Sequence, residues 1–514
     1  MLEQAGLTRD VLDRARRSRD ARFDGKFFIA VTSTRIYCRP ICPAKTSRDS
    51  NVHYYATAAE AAAAGFRPCL RCRPESAPGS PAWMGTSAVV RRALRLIQDG
   101  ALDEHSIEEI ALRLGVGARH LHRLFTRHLG ASPLAIARTR RLHFSKQLLD
   151  ETDLPVTEVA LASGFRSVRR FNDAFKAMYR RPPREIRRRL RAGRLQGADA
   201  EIRLRLTYRP PYEWRQVLRF LERGALKGVE VIQEGMYART VRTSSGAAIL
   251  EVHHQPHADA LELRLRGGES SDLLPISSSV RRMFDLSADP ARIASILARD
   301  AELAPLLARR PGLRIPGTWD AFESGVRAIL LRGSDETKAR GLLDSIVARF
   351  GDRVSRSETS LDRIFPTPQR LSAADIESAG LDARRARALR RFARAVWDGT
   401  TRLDGSQADL AGVLAGLPGL DSWVAGYVAL RGLGEPDAFP EADPMLMRGP
   451  AALALTPRAL HARAELWRPF RGYAVLHLWE ASEARAEPSR SGELRHSDAR
   501  FEVRGQPVRT APCD

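Results

Sequence analysis

FDGKFFIAVTSTRIYCRPICPAKTSRDSNVHYYATAAEAAAAGFRPCLRCRP (residues 23–74) gathers four of the chain's five cysteines. They fall as Cys38-x3-Cys42, then 26 residues, then Cys69-x2-Cys72. Two close pairs joined by a loop is the spacing of a tetrahedral four-cysteine zinc site, with Zn–S bonds of about 2.3 Å. Two disulfides are the alternative. Five cysteines in 514 residues do not make a disulfide scaffold, and a reducing cytoplasmic setting is expected. The stretch therefore predicts a small α/β domain over residues 1–78, with one Zn2+ held by Cys38, Cys42, Cys69 and Cys72. The fifth cysteine, Cys513, lies in a polar stretch and is read as inert.

Working outward, 514 residues allow roughly three domains. No apolar run approaches about 18 residues, so no membrane partner is expected. Residues 1–20, MLEQAGLTRDVLDRARRSRD, lack the apolar stretch of a signal peptide. The charge is more telling. Lys+Arg number 83 against 61 Asp+Glu, net +22. Residues 1–190 hold 35 basic and 19 acidic side chains, so +16 of that excess sits in the first third. Such a surface faces a polyanion, and nucleic acid is the default.

Residues 84–190 carry an internal repeat. SIEEIALRLGVGARHLHRLFTRHLG (106–130) parallels PVTEVALASGFRSVRRFNDAFKAMYRRPP (155–183). Each copy reads as a short apolar helix, a turn at Leu114-Gly115 or Ser163-Gly164, then an Arg-rich amphipathic helix. Ser106 with Glu109 makes a capping-box start. This is the helix-turn-helix pattern twice, joined by one long helix near 132–149. The second helices, 118–129 and 167–178, put Arg119, Arg123 and Arg127, and Arg166, Arg169 and Arg170, forward as DNA contacts.

The cysteine stretch closely resembles the N-terminal domain of the Ada family, through Tyr37-Cys38-Arg39-Pro40, Gly65-Phe66-Arg67-Pro68-Cys69 and Arg71-Cys72. An AraC-type double helix-turn-helix follows in that family as it does here. The resemblance implies that Cys38 is both ligand and acceptor of a methyl group from a methylphosphotriester in damaged DNA. The chemistry suits the residues. A thiolate is the nucleophile, and zinc keeps it deprotonated at neutral pH. One zinc with four thiolates carries −2, which repels phosphodiesters but not a neutral phosphotriester. Methylation of Cys38 leaves −1, and less negative charge beside DNA strengthens binding dominated by phosphate electrostatics.

From about 201 the pattern changes. IRLRLTY (202–208), AAILEV (247–252) and ALELRLR (260–266) alternate as strands, with a helix at 213–224. Beyond Ser279 the chain reads as helical. An α+β lobe at 200–281 thus precedes a helical lobe at 282–482, and residues 483–514 read as a disordered tail. Within the helical lobe, Leu417-Pro418-Gly419-Leu420-Asp421-Ser422-Trp423-Val424-Ala425-Gly426-Tyr427 looks like a helix-hairpin-helix, and Asp443 lies sixteen residues past Tyr427.

Residues 202–481 resemble the AlkA-type 3-methyladenine DNA glycosylase II family, through YRPPYEW (208–214), MFDLSADP (283–290), RPGLRIPGTWDAFESGVRAIL (310–330), FPTPQRL (365–371) and WRPFRGYAVLHLWE (467–480). That resemblance implies base flipping, with Asp443 stabilising an oxocarbenium-like sugar or activating water. Trp423, Tyr427 and Trp479, joined by Phe220, would form an electron-rich base pocket, and Gly419 and Asp421 a phosphate grip. The hairpin has no Lys, so no Schiff-base lyase step is expected. Three departures bear on this lobe. Asp421 replaces the hairpin's second Gly, threatening a positive-φ geometry and placing an anion at the phosphate site. Leu331-Arg332-Gly333-Ser334-Asp335-Glu336 offers no apolar wedge. Pro444-Met445-Leu446 after Asp443 alters the next helix.

The fold class expected is multidomain α+β: a four-cysteine zinc domain, an all-α double helix-turn-helix, an α+β lobe, and a helical helix-hairpin-helix lobe. The function expected is an alkylation-damage response protein acting on double-stranded DNA at methylated backbone, promoter and alkylated bases. It would be monomeric, nucleoid-associated and in contact with RNA polymerase. Two readings stay open beside it: a damage-sensing regulator whose glycosylase-like lobe is inactive, and a zinc-stabilised AraC-type regulator with neither chemistry.

Overall fold

In the computed structural model the described residues are 2, 7–44, 47–78, 88–191, 201–354, 360–440, 443, 446 and 457–486. The N-terminal module is a four-stranded sheet in the order Val52–Tyr55, Phe28–Val31, Ile36–Cys38, Arg67–Pro68. Helix Arg9–Ser18 covers it through Leu12 and Ala15, which pack with Phe27, Ile29 and Val52. The pairing of Ile36–Cys38 with Arg67–Pro68 is parallel, Tyr37 opposite Pro68. That register matters, because it sets Cys38 and Cys69 at neighbouring strand ends; the Cys69 amide donates to the Tyr37 carbonyl at 2.9 Å.

The repeat forms as the spacing implies. Helices Ile107–Arg113 and Ala118–Leu129 make the first copy, Val156–Ala162 and Val168–Tyr179 the second, and Pro133–Glu151 links them. Ser106 and Glu109 close the capping box. Gly115 and Gly164 turn at φ +70° and +80°, left-handed backbone that a side chain resists. Leu121, Phe125 and Leu129 bury one face of the first Arg-rich helix, and Phe171, Phe175 and Tyr179 bury one face of the second.

The third region holds a five-stranded antiparallel sheet in the order Ile202–Thr207, Ala260–Gly267, Gly246–Gln255, Met236–Thr243, Glu230–Gln233. The helical lobe follows, its largest core running from Leu226 to Trp479. Helix Arg471–Ala486 continues past residue 482. The boundary expected at 483 is therefore four residues early, since Leu478 and Trp479 anchor this helix and its last turn propagates from them. Residues 487–514, with Cys513, lie outside the described residues, as do 79–87 and 192–200.

These regions share cores rather than hanging on tethers. Leu142, Phe144, Phe171 and Phe175 of the repeat cluster with Leu204, Leu206 and Leu263 of the sheet. Lys26 pairs with Asp289 at 2.6 Å, both side chains buried. Arg209, fully buried, donates to the Asp24 carbonyl at 2.7 Å. On the other side, Lys146 of the linking helix bridges Glu75 at 3.3 Å and Asp150 at 2.7 Å. No helix among the described residues is long and apolar enough to cross a membrane.

Candidate metal centre and candidate active site

The sheet register brings Cys38, Cys42, Cys69 and Cys72 together with their sulfurs all within 4.8 Å of one another. Tetrahedral Zn–S bonds of about 2.3 Å require S···S separations of about 3.8 Å, and sulfurs clustered within 4.8 Å are close enough to share one zinc. None is in a disulfide. Packed this closely, they divide their protons unequally: hydrogen bonds from its neighbours hold Cys69 far down and push Cys72 far up. A shared cation removes that competition, and the centre fits one Zn2+. The surroundings are built for it. The Arg39 amide donates to Cys72 Sγ at 3.3 Å, and its guanidinium is fixed by Asp24 and by the Cys72 carbonyl at 3.2 Å. Cys69 and Cys72 are buried, whereas Cys38 and Cys42 are partly open. Tyr37, beside Cys38, is fully buried, and its hydroxyl meets His143 Nε2 on the linking helix at 2.9 Å.

The arginines expected to meet DNA stand on exposed faces. Arg119, Arg123 and Arg127 project from Ala118–Leu129, Arg169 and Arg170 from Val168–Tyr179, and Arg166 from the turn before it. Arg166 also donates to the Asp103 carbonyl at 2.8 Å, tying the second copy to the short helix Ala101–Glu104 that precedes the first.

A cavity of about 550 Å³ opens in the helical lobe, and Asp443, Trp423, Tyr427, Trp479 and Phe220 all line it. Trp423 Nε1 donates to Asp443 Oδ2 at 2.9 Å and Trp479 Nε1 to Oδ1 at 3.0 Å. Two indoles thus fix the carboxylate from opposite sides, and the Leu446 amide adds a third donor at 3.1 Å. Trp423 lies 5.4 Å from Tyr427, and Trp479 stacks on Phe220 at 6.2 Å.

The expectation of a purely electron-rich pocket needs correction. The Phe220 ring carries two guanidinium groups, Arg431 at 4.5 Å and Arg223 at 5.2 Å, so its faces are not free for a cationic base. A second wall is a buried ion network. Arg327 bonds Glu230 at 2.6 Å and Glu323 at 2.8 Å, and Arg239 bonds Glu323 at 2.9 Å. Burial works to raise Glu323, yet these two arginines hold it down to about 2. Sequence reading missed Arg431. The signal was present: Trp423, Tyr427 and Arg431 recur every four residues on one helical face.

The hairpin departs from expectation as well. Gly419, at φ +95°, makes the turn, while Asp421 sits at φ −128°, extended backbone that any residue adopts. The feared positive-φ strain is absent because Asp421 is the N-cap of helix Ser422–Tyr427, its Oδ1 accepting from the Val424 amide at 3.1 Å. Its other oxygen, Oδ2, takes Arg332 Nε at 2.8 Å and Nη2 at 2.7 Å. Two departures in sequence are therefore partners in space. Arg385 braces the loop by donating to the Arg332 and Gly333 carbonyls, each at 3.1 Å. Pro444 and Met445 lie outside the described residues.

With the double helix-turn-helix between them, the two centres define a class of chain that joins an Ada-type metal centre and regulator to an AlkA-type glycosylase fold. Residues 12–75 match the family "Metal binding domain of Ada", 110–189 "Helix-turn-helix domain", and 203–320 "AlkA N-terminal domain". The chain is 38% identical over 477 residues to the "Probable bifunctional transcriptional activator/DNA repair enzyme AlkA" of Mycobacterium tuberculosis, covering 91% of this chain and 96% of that protein. DNA-3-methyladenine glycosylase 2 of Escherichia coli is 34% identical over 280 residues, 53% of this chain and 95% of that one. The "Bifunctional transcriptional activator/DNA repair enzyme Ada" of Escherichia coli is 36% identical over 148 residues, 29% of this chain and 40% of that one. The chain belongs to the family of fused Ada–AlkA proteins.

Proposed function

We propose that this protein is a DNA alkylation-damage sensor, regulator and base-excision enzyme in one chain. The observation that carries the excision reading is Asp443, held by two tryptophan indoles in an aromatic cavity large enough for a purine. An alkylated base leaves the duplex stack and enters the cavity, where Trp423 and Tyr427 offer it stacking faces. Breaking the C1′–N bond leaves positive charge on the sugar, and the fixed Asp443 carboxylate stabilises it and orients the water that adds to C1′. The indole donors stop that carboxylate from swinging away.

At the other end, the partly open Cys38 is the sulfur that reaches a methylphosphotriester. Zinc, when bound, keeps the four sulfurs as thiolates. Cys38 attacks the methyl carbon, the C–O bond breaks, and the phosphate leaves as a diester anion. The methyl group remains on sulfur, the centre loses one negative charge, and promoter binding by the basic repeat tightens. The DNA-facing residues of that repeat are Arg119, Arg123, Arg127, Arg166, Arg169 and Arg170, and Gly419 presents the hairpin to a phosphate. In this reading the protein works as a cytoplasmic, nucleoid-bound monomer that engages RNA polymerase at its promoter.

Base release from methylated duplex DNA tests the enzyme reading. Wild type forms abasic sites, and Asp443→Asn, folded to the same Tm, does not. Abasic sites formed equally by both would remove Asp443 from the chemistry.

A further inference from the structure

A second cavity, of about 310 Å³, opens where the modules of the chain meet. Helix Ala88–Gln98, ahead of the first repeat, forms one wall and the linking helix Pro133–Glu151 another. Helix Leu273–Met283 beside the five-stranded sheet, residues 433–436 of the helical lobe and Glu75 of the N-terminal module close the rest. Six guanidinium groups line it, those of Arg91, Arg92, Arg95, Arg140, Arg281 and Arg282. Four carboxylates do so too, but two of them are engaged elsewhere. Glu75 takes Lys146 at 3.3 Å and Arg73 at 3.5 Å, and Asp285 accepts from the Tyr473 hydroxyl at 2.6 Å. Asp99 pairs with Arg282 at 3.1 Å, and Glu435 stands 3.9 Å from Arg91.

Positive charge is left over. Among the described residues neither Arg95 nor Arg281 pairs with a carboxylate. Arg95 Nη2 donates to the Asp404 and Gly405 carbonyls at 2.8 and 3.3 Å, and Arg281 Nη1 reaches the Thr207 carbonyl at 3.5 Å. Desolvation holds both guanidinium groups down, Arg281 to about 10. The Nε groups of Arg92 and Arg282 are buried without a protein acceptor. Buried donors and charges of this kind are costly unless an anion accepts from them. Beside the arginines the wall turns apolar at Phe144, Leu274 and Leu433.

We propose that this cavity binds a small organic phosphate of nucleotide size, its phosphate held between Arg95 and Arg281 and its organic part against Phe144 and Leu274. A guanidinium fork meets two phosphate oxygens at once, and here no carboxylate occupies those forks. The volume is in the range of small-ligand sites and too small to admit a duplex. Arg95 precedes the first repeat, whereas Arg281 lies beside the sheet of the α+β lobe. One bound phosphate therefore ties two modules, and it stabilises the arrangement in which they meet. No lining residue is shared with the Asp443 cavity or with the cysteine centre.

Titration calorimetry on the full-length, zinc-loaded chain tests this with 5′-AMP, inorganic phosphate and adenosine. Wild type is compared with Arg281→Met, Arg95→Met and Ser278→Glu. Ser278 Oγ lies 3.5 Å from Arg140 Nη2, so a glutamate at this partly exposed position supplies a resident carboxylate without emptying the wall. Wild type is expected to bind 5′-AMP, to bind phosphate more weakly, and to leave adenosine unbound at the same site. Each variant weakens 5′-AMP about 10–10²-fold, with circular dichroism and the unliganded Tm as controls for folding. Wild type that fails to bind 5′-AMP overturns the assignment. Unchanged affinity in a folded variant places the nucleotide elsewhere and overturns it as well. So does adenosine that displaces 5′-AMP with equal affinity, since the phosphate is then not what is recognised. Phosphate that binds as tightly as 5′-AMP removes the apolar wall from recognition and overturns the organic ligand. A short unmethylated duplex in excess separates free ligand from DNA backbone, and 5′-AMP affinity is expected to stay level in its presence. A duplex that displaces 5′-AMP, and itself binds Arg281→Met more weakly, makes backbone phosphate the occupant and overturns the small ligand.

Discussion

At the scale of single residues, the proposed chemistry rests on Asp443. Its two oxygens are occupied by indole N–H groups from Trp423 and Trp479, 56 positions apart in sequence. The Asp443→Asn change keeps the shape and removes the charge, and base release is expected to fall by about 10²-fold or more in single-turnover assays. His477, two residues before Trp479 on the same helix, offers a second handle. It is buried, and desolvation with Arg310 nearby holds it down to about 4. The unfolded chain binds that proton near pH 6.5, so stability from a neutral His477 is full above pH 6.5 and is lost as pH falls towards 4. The loss reaches about 3 kcal/mol at its limit. His477→Gln flattens the pH dependence of Tm across that window; an unchanged slope counts against this assignment.

At the scale of elements, the hairpin and the loop facing it form one unit. Gly419 turns at φ +95°, and an added Cβ would meet Ala388 Cβ at 3.1 Å. Gly419→Ala is therefore expected to destabilise the lobe by about 1–2 kcal/mol and to weaken DNA binding, measured by denaturation and by filter binding. Arg332 and Asp421 are expected to couple. Arg332→Ala alone leaves an anion at the hairpin and weakens DNA binding about tenfold, whereas Arg332→Ala with Asp421→Asn recovers most of it. Equal losses in single and double variants would show that Arg332 serves DNA binding without its pairing to Asp421. The repeat, its capping box and the cysteine register are legible in sequence because each is a local pattern of spacing and turn residues. Two strands, Glu230–Gln233 and Met236–Thr243, escape that reading for a physical reason. Glu230 and Arg239 are buried charges paired within the ion network, so the apolar alternation that marks a strand is broken where the charges face inward. The aromatic lining was legible only through the family resemblance, since aromatics at helical spacing read equally well as core. Of the guanidinium groups on Phe220, Arg431 shares the four-residue spacing of Trp423 and Tyr427, whereas Arg223 on its helix reads as solvated surface until the ring beneath it is seen.

Across the whole molecule, the metal centre is wired to both neighbours by the residues flanking Cys38. Tyr37 reaches His143 of the linking helix, and Arg39 fixes Asp24, whose carbonyl takes the buried Arg209 of the α+β lobe. The N-terminal sheet has short strands and a small core, so zinc contributes folding free energy there. Chelation is expected to abolish methyl uptake and expose residues 7–78 to proteolysis, while base release persists, because Asp443 and its cavity lie in a separate core. Lys26→Met strands Asp289 as a buried unpaired charge and lowers stability by about 3–5 kcal/mol, read as a drop in Tm.

The most direct test of the account measures both activities in one preparation of the zinc-loaded chain. Methylated duplex DNA is given to wild type, Cys38→Ser and Asp443→Asn, with the mass of the cysteine peptide and the yield of abasic sites read together. The account predicts one methyl on Cys38 and base release in wild type, loss of the methyl alone in Cys38→Ser, and loss of release alone in Asp443→Asn. Wild type that gains the methyl yet releases no base would contradict it, leaving a damage-sensing regulator with an inactive lobe.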